Sequence, residues 1–155
     1  MAEIAPTRRV MSGLEYMRKL VAGELEASPM ARLLNIRIVN VEEGRVIVTA
    51  EPTPEFENGL RIAHGGFAAT LLDTALGCAV NSVMPAGKIF TTLEMKINFT
   101  KAVTRETGTL TCTANIVHAG SRTATAEGRI IDAAGNVYAH GSATCILFRD
   151  LSEEK

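Results

Sequence analysis

The residues best equipped for chemistry lie between positions 58 and 92 of this 155-residue chain. His64-Gly65-Gly66 opens a run of small and apolar residues that reaches Val80, and Asp73 is the one charge inside that run. A helix starting at the glycines leaves its first backbone N–H groups without intrahelical partners, and glycine lets a ligand approach them closely. Together with the positive end of the helix dipole, this suits a developing oxyanion or a phosphate. The plainer reading, that Gly65 and Gly66 only turn the chain into the helix, stands beside it. Asp73, among apolar neighbours, must be paired, hydrogen-bonded or functional, because a buried unpaired carboxylate is costly. Such an acid can act as a general base toward water or attack a carbonyl itself. Its structural alternative is to pin a loop or a subunit contact.

Nearby residues add to this pattern. His64 could hydrogen-bond its own loop or serve the site, a single histidine being more often structural. Asn58 could orient water or donate to a carbonyl oxygen, and it is also a common turn residue. Thr91 and Thr92 are strand formers of which one hydroxyl could hold a water beside Asp73. Other chemistries lack their signatures. There is no Gly-x-Ser-x-Gly elbow and no phosphate-binding Walker loop. His64, His118 and His140 are not at metal-ligand spacing with each other or with the cysteines. The residues by themselves thus indicate acid–base or acyl-transfer chemistry at a helix N-terminus.

The elements that must position these residues can be read from periodicity. Ser12 with Glu15 three places on is a capping-box pattern, and Leu14, Met17, Leu20, Val21 and Leu25 follow at helical spacing. A short helical turn over residues 30–34 follows, with Pro29 at its first position. Residues 35–41 and 45–50 are β-branched runs joined by Glu42-Glu43-Gly44, a hairpin. Residues 51–57 carry Pro52 and Pro54 and read as a loop. The long helix runs from Gly65 to about Val83 and is apolar on nearly every side, which places it inside a core. Four strands are expected after it, at 88–99, 107–118, 123–132 and 137–148. In the first of these Ile89, Thr91, Leu93, Met95, Ile97 and Phe99 share one parity. Residues 1–11 read as frayed and 149–155 as a charged tail. The result is a single α+β domain over residues 1–155, with one long helix across a sheet of about six antiparallel strands.

Composition narrows the partners. The net charge of −1 gives no electrostatic footprint for nucleic acid, and 5% aromatic content gives little for stacking bases. The apolar run is too short for a bilayer span of roughly 20 residues, and no secretory leader is visible, so a cytoplasmic protein is expected. Cys78, Cys112 and Cys145 are far apart and read as small buried hydrophobes in a reducing compartment.

Asn58, His64-Gly65-Gly66, Asp73 nine residues after the histidine, and the strand Thr92-Leu-Glu94-Met-Lys-Ile-Asn98-Phe together resemble the hotdog-fold acyl-CoA thioesterases. The nearest group is the phenylacetate-degradation, PaaI-like type, and the likeness covers about residues 30–148. The resemblance implies a helix wrapped in a curved antiparallel sheet, ordered β-β-α-β-β-β-β. It also implies two subunits forming one continuous sheet, dimers that associate into tetramers, and active sites at the dimer interface. The implied reaction is hydrolysis of an acyl- or aroyl-CoA thioester without a cofactor. Asp73 matches the catalytic acid, and Gly65 the backbone N–H that polarises the thioester carbonyl. Asn58 and His64 match side chains beside that carbonyl and the water, and Thr92 a hydroxyl that assists the acid. By analogy, Asp73 and Thr92 come from one subunit and Asn58, His64 and Gly65 from the other. Substrate contacts are expected from Gly66, Arg61, Thr91 and Arg122. Arg61 stands where many relatives have glycine; its guanidinium, like that of loop-borne Arg122, suits a CoA phosphate. Two other readings belong to other classes: a non-catalytic acyl-CoA sensor on the same fold, and a hotdog dehydratase or hydratase.

Overall fold

The structure is a computed structural model that describes residues 10–149. The expectations for residues 1–9 and 150–155 lie outside the described residues. Arg149, placed in the tail by the sequence reading, is the last residue of a strand.

Helix α1 spans Gly13–Val21, and the Ser12 hydroxyl accepts from the Glu15 N–H at 3.2 Å, as the spacing predicts. Helix α2, Pro29–Leu33, has Pro29 in its first turn, and the Ser28 hydroxyl accepts from the Ala31 N–H. Strands β1 (Arg37–Glu42) and β2 (Arg45–Ala50) form the expected hairpin. Helix α3 is Gly65–Ser82. Strands β3 (Lys88–Phe99), β4 (Leu110–Ala119), β5 (Thr123–Ile131) and β6 (Val137–Arg149) complete the order. β4 starts later than expected because Arg105–Thr107 forms a 3₁₀ turn and Gly108 follows at φ +70°.

All six strands join one antiparallel sheet in the order β1-β2-β4-β5-β6-β3. β3 follows α3 in the chain yet crosses to the far edge, beside β6. The helix lies across the sheet face. Leu71, Leu72 and Leu76 are fully buried against Val46 and Val48 of β2 and against Leu110, Cys112 and Ile130. Each large aliphatic buried in this way contributes about 1.5–3 kcal/mol. Beneath the helix the inward positions of the middle strands are small: Ala114, Ala124, Ala126 and Ala143. At Gly128 an added Cβ would lie 3.2 Å from Leu72 Cδ1. The sheet floor is therefore cut to let α3 sit close.

Two expectations need correction. α3 is not enclosed on nearly every side. Gly66 and Asp73 are exposed, and Ala69, Thr70, Thr74, Gly77 and Cys78 are half-buried along the same side. One sheet covers one side of a helix, and α1 shields only part of the rest. The single parity assigned to β3 also fails. The register with β6 shifts between Thr92 and Glu94, a bulge at Leu93. Phe90 and Thr92 are turned inward before it and Met95 and Ile97 after it, while Thr91, Leu93 and Phe99 are exposed. A bulge changes which face each residue takes, and it re-aims side chains next to it.

Candidate active site

The head of α3 is built by a tightly bonded loop. Glu57 bridges Ala63, the Asn58 N–H donates to the Ile62 carbonyl at 2.8 Å, and the Arg61 N–H donates to the Asn58 carbonyl at 3.0 Å. Asn58 also folds its side chain back, Oδ1 accepting from the Leu60 N–H at 2.8 Å. That is the turn role asparagine commonly takes, and it leaves the amide N–H groups as the donors that Asn58 can offer. Arg61 sits at φ +58°, in the left-handed region that favours glycine. The Ala63 N–H reaches the Val103 carbonyl and the His64 N–H the Phe56 carbonyl, while the Phe56 and Phe67 rings stack at 5.0 Å. The loop is held at both ends.

His64 is the N-cap of α3. Its Nδ1 accepts from the Gly66 N–H at 3.0 Å, which puts the ring proton on Nε2. The Phe67 N–H donates to the His64 carbonyl. Of the first three N–H groups of the helix, the Gly66 and Phe67 donors are thus engaged within the protein. Gly65 supplies the donor left for a ligand. It opens onto a cavity of about 340 Å³ lined by Asn58, His64, Phe99, Lys101 and Tyr138 among others. The Phe99 ring lies over Gly65, where an added Cβ would be 3.3 Å from Cζ. Tyr138 is 5% exposed; its hydroxyl donates to Asp132 and Lys101 lies over its ring.

Asp73 stands two turns further along α3. The bulge at Leu93 leaves Thr92 facing the helix, and the Thr92 hydroxyl donates to Asp73 Oδ1 at 3.1 Å. Both residues line a second cavity of about 560 Å³, between α3, α1 and β3. Cys145 is paired with Thr92 across the β3–β6 ladder. Burial pushes its thiol up, the Thr92 hydroxyl pulls it down and the Asp73 charge raises it again. Burial also pushes the Cys112 thiol up to about 12. Neither is poised as a thiolate nucleophile.

The structure brings the expected residues together as two groups. Asn58, His64 and Gly65 share one cavity; Asp73 and Thr92 share the other. Gly66 is exposed, with its N–H taken by His64. Arg61 is exposed on the loop and lines neither cavity. Thr91 is turned to the opposite face of β3 from Thr92. Arg122 is exposed in the β4–β5 turn, its carbonyl accepting from Leu147, whose ladder partner Phe90 lines the Asp73 cavity. Lys101, Phe99 and Tyr138 escaped sequence reasoning, since nothing in their local spacing links them to His64. Among the described residues no group of three or more His, Cys, Asp or Glu side chains could hold a metal ion. No described helix is long and apolar enough to cross a membrane.

A long helix across a six-stranded antiparallel sheet is the architecture of the hotdog thioesterases. The thioesterase superfamily model matches residues 60–139, more than half of the chain, and the chain belongs to that family. It is an enzyme of the PaaI-like type. It is 32% identical over 107 residues to the acyl-coenzyme A thioesterase PaaI of Escherichia coli, covering 69% of this chain and 74% of that protein. It is 30% identical over 100 residues to the 1,4-dihydroxy-2-naphthoyl-CoA hydrolase of Listeria monocytogenes, covering 64% of this chain and 79% of the relative. The solved structure of E. coli PaaI superposes with a TM-score of 0.77 at 27% identity, over 88% of this chain and 96% of that one.

Proposed function

We propose that the protein hydrolyses an acyl- or aroyl-CoA thioester to the free acid and CoA, at a site assembled from two copies of the chain. Asp73 of one copy, held by Thr92, takes a proton from the attacking water or attacks the carbonyl carbon itself. The Gly65 N–H of the other copy receives the developing oxyanion, with Asn58 and His64 Nε2–H as further donors beside it. A thiolate is a good leaving group, so one acid, one oxyanion donor and a water suffice. The relatives that act on acyl- and aroyl-CoA substrates support the substrate class.

The observation that carries the two-copy reading is a length. Asp73 and Gly65 lie on one helix, eight residues apart, which is about 12 Å of rise. A thioester carbonyl needs its oxygen within about 3 Å of the donor and its carbon equally near the nucleophile. Asp73 and Gly65 of one chain cannot meet that demand, and they open onto different cavities. β3 is an edge strand twelve residues long, with Leu93 and Phe99 exposed, and an edge of that kind invites pairing with a second copy. Dimers of that kind could pair again into a dimer of dimers.

Complementation tests this. Asp73→Asn removes the acid. Gly65→Pro removes the N–H at the first helical position, where proline fits, and His64 at φ −58° and ψ 138° already has the backbone that precedes proline. Each variant alone is expected to release CoA thiol at a small fraction of the wild-type rate. Mixed and re-associated, they regain about a quarter of wild-type activity, since half the dimers are mixed and each carries one intact site of two. Failure of any mixture to exceed its components would refute the shared site.

A further inference from the structure

We propose that the N-terminal segment from Tyr16 to Ala31 is the outer wall of the cavity beside Asp73 and sets which acyl group fits there. The group it admits is bulky and apolar, an aryl or medium-chain acyl rather than acetyl. The inference rests on the thioesterase reading of Asp73 given above.

The wall is anchored where it starts. The Gly13 N–H donates to the Met84 carbonyl at 2.8 Å. A Cβ at Gly13 would lie 1.6 Å from the Asn81 carbonyl oxygen, so only glycine allows α1 to come this close to the end of α3. From that anchor α1 runs beside the open side of α3, and Tyr16 and Leu20 line the same cavity as Asp73, Gly77 and Asn81. Leu25 and Ala31 extend the wall beyond the end of α1. Opposite them stands Phe90. Its ring packs over Gly77, where an added Cβ would lie 3.4 Å from Phe90 Cε2.

Size and lining fix the class of occupant. The cavity follows α3 from Asp73 to Asn81, eight residues or about 12 Å of helix. Its volume of about 560 Å³ lies inside the usual range for small-molecule pockets, about 300–1,000 Å³. Away from the Asp73–Thr92 end the walls are mostly Leu, Ile, Met, Ala and aromatic side chains, with Ser28, Arg37 and Asn81 as polar members. An acetyl group would leave most of that apolar surface uncovered. A ring or a medium-length chain would cover it and seat its thioester at the acid.

The test compares wild type with Ala31→Phe, which fills the outer wall, and Leu20→Ala, which opens it. Thiol release is measured with acetyl-, octanoyl-, decanoyl- and phenylacetyl-CoA, and calorimetry measures binding of the matching non-hydrolysable thioether analogues. In wild type, kcat/KM for octanoyl- or phenylacetyl-CoA exceeds that for acetyl-CoA by at least about tenfold, the scale that pocket contacts provide. Ala31→Phe lowers that ratio at least about tenfold, and Leu20→Ala shifts preference toward decanoyl-CoA. The contrast between octanoyl and phenylacetyl identifies chain or ring as the preferred filling. Ratios within about twofold of wild type in folded variants would overturn the wall and leave the hydrolase reading intact. Size-dependent analogue binding without thiol release would keep the wall and overturn the hydrolase reading. Neither binding nor release would overturn both. Should Ala31→Phe fail to fold, Leu20→Ala decides.

Discussion

The Thr92 hydroxyl donates to the Asp73 carboxylate at 3.1 Å, joining the edge strand to the open side of the central helix. Asp73 stands eight positions along the helix from the donor at Gly65. The bond engages one carboxylate oxygen; in the proposed reaction the other meets the water or the carbonyl carbon.

Replacing either partner separates chemistry from fold. Asp73→Asn is expected to lower kcat/KM by about 10²–10⁴-fold, the range for loss of a positioned acid or base. The melting temperature should hardly move, because Asp73 is exposed in the single chain. Thr92→Val should lower kcat while Thr92→Ser largely restores it, since only the hydroxyl is used. Turnover of an acyl-CoA panel by Asp73→Asn at the wild-type rate would remove Asp73 from the mechanism.

His64 has two jobs that substitution can pull apart. His64→Ala loses the cap on the Gly66 N–H, which should cost about 1 kcal/mol of stability. His64→Asn supplies another capping oxygen and should recover that stability. If Nε2–H also touches substrate, His64→Asn will still be slow; thermal melts and steady-state kinetics on the same samples tell the two apart.

Arg61 is held in a backbone region that disfavours side chains. Arg61→Gly should therefore stabilise the loop, by about 0.5–1 kcal/mol after the entropy of glycine in the unfolded chain is deducted. A rise in KM for acyl-CoA in the same variant, reduced at high salt, would show that the guanidinium meets CoA phosphate. An unchanged KM would leave Arg61 a surface charge.

Gly13→Ala should be among the most damaging single-methyl changes, by about 2 kcal/mol or more, since the new atom meets backbone rather than a movable side chain. Gly59→Ala, with nothing within 4 Å of the added atom, is the matched control. Denaturant midpoints of the two variants check this.

Asp132 gives the fold a dependence on acid. The Asn136 side chain, supported by the Asn136 and Ala134 N–H groups and the Tyr138 hydroxyl, holds its carboxyl below the ordinary range. A carboxyl depressed in the folded state adds stability above its unfolded pKa, and that stability is lost as pH falls through the folded one. Wild type should therefore lose melting temperature in acid more steeply than Asp132→Asn.

The local elements were legible because each is written in short-range chemistry. Ser12 with Glu15, Pro29 in its turn, the Glu43-Gly44 hairpin and the apolar run from Gly65 all appear where the residues indicate. Asp73 and Gly65 stood out for the same reason: a lone charge and a glycine pair are visible against an apolar run. The parity of β3 misled, because a bulge shifts register without a sequence mark and depends on which strand lies alongside.

By itself, then, the sequence determined the elements and the residue types available for chemistry, since these follow from propensity and periodicity along one chain, but not which side of α3 would stay open. Tertiary structure decided the rest. It carried β3 past three strands to the sheet edge, turned Thr92 rather than Thr91 toward Asp73, engaged the Gly66 N–H with His64 and left the Gly65 donor open. It also laid α1 against the open side of α3, where the anchor at Gly13 makes a cavity that no local pattern announces. Such contacts join residues far apart in the chain, and their free energy depends on the packing of the whole sheet rather than on any stretch of sequence.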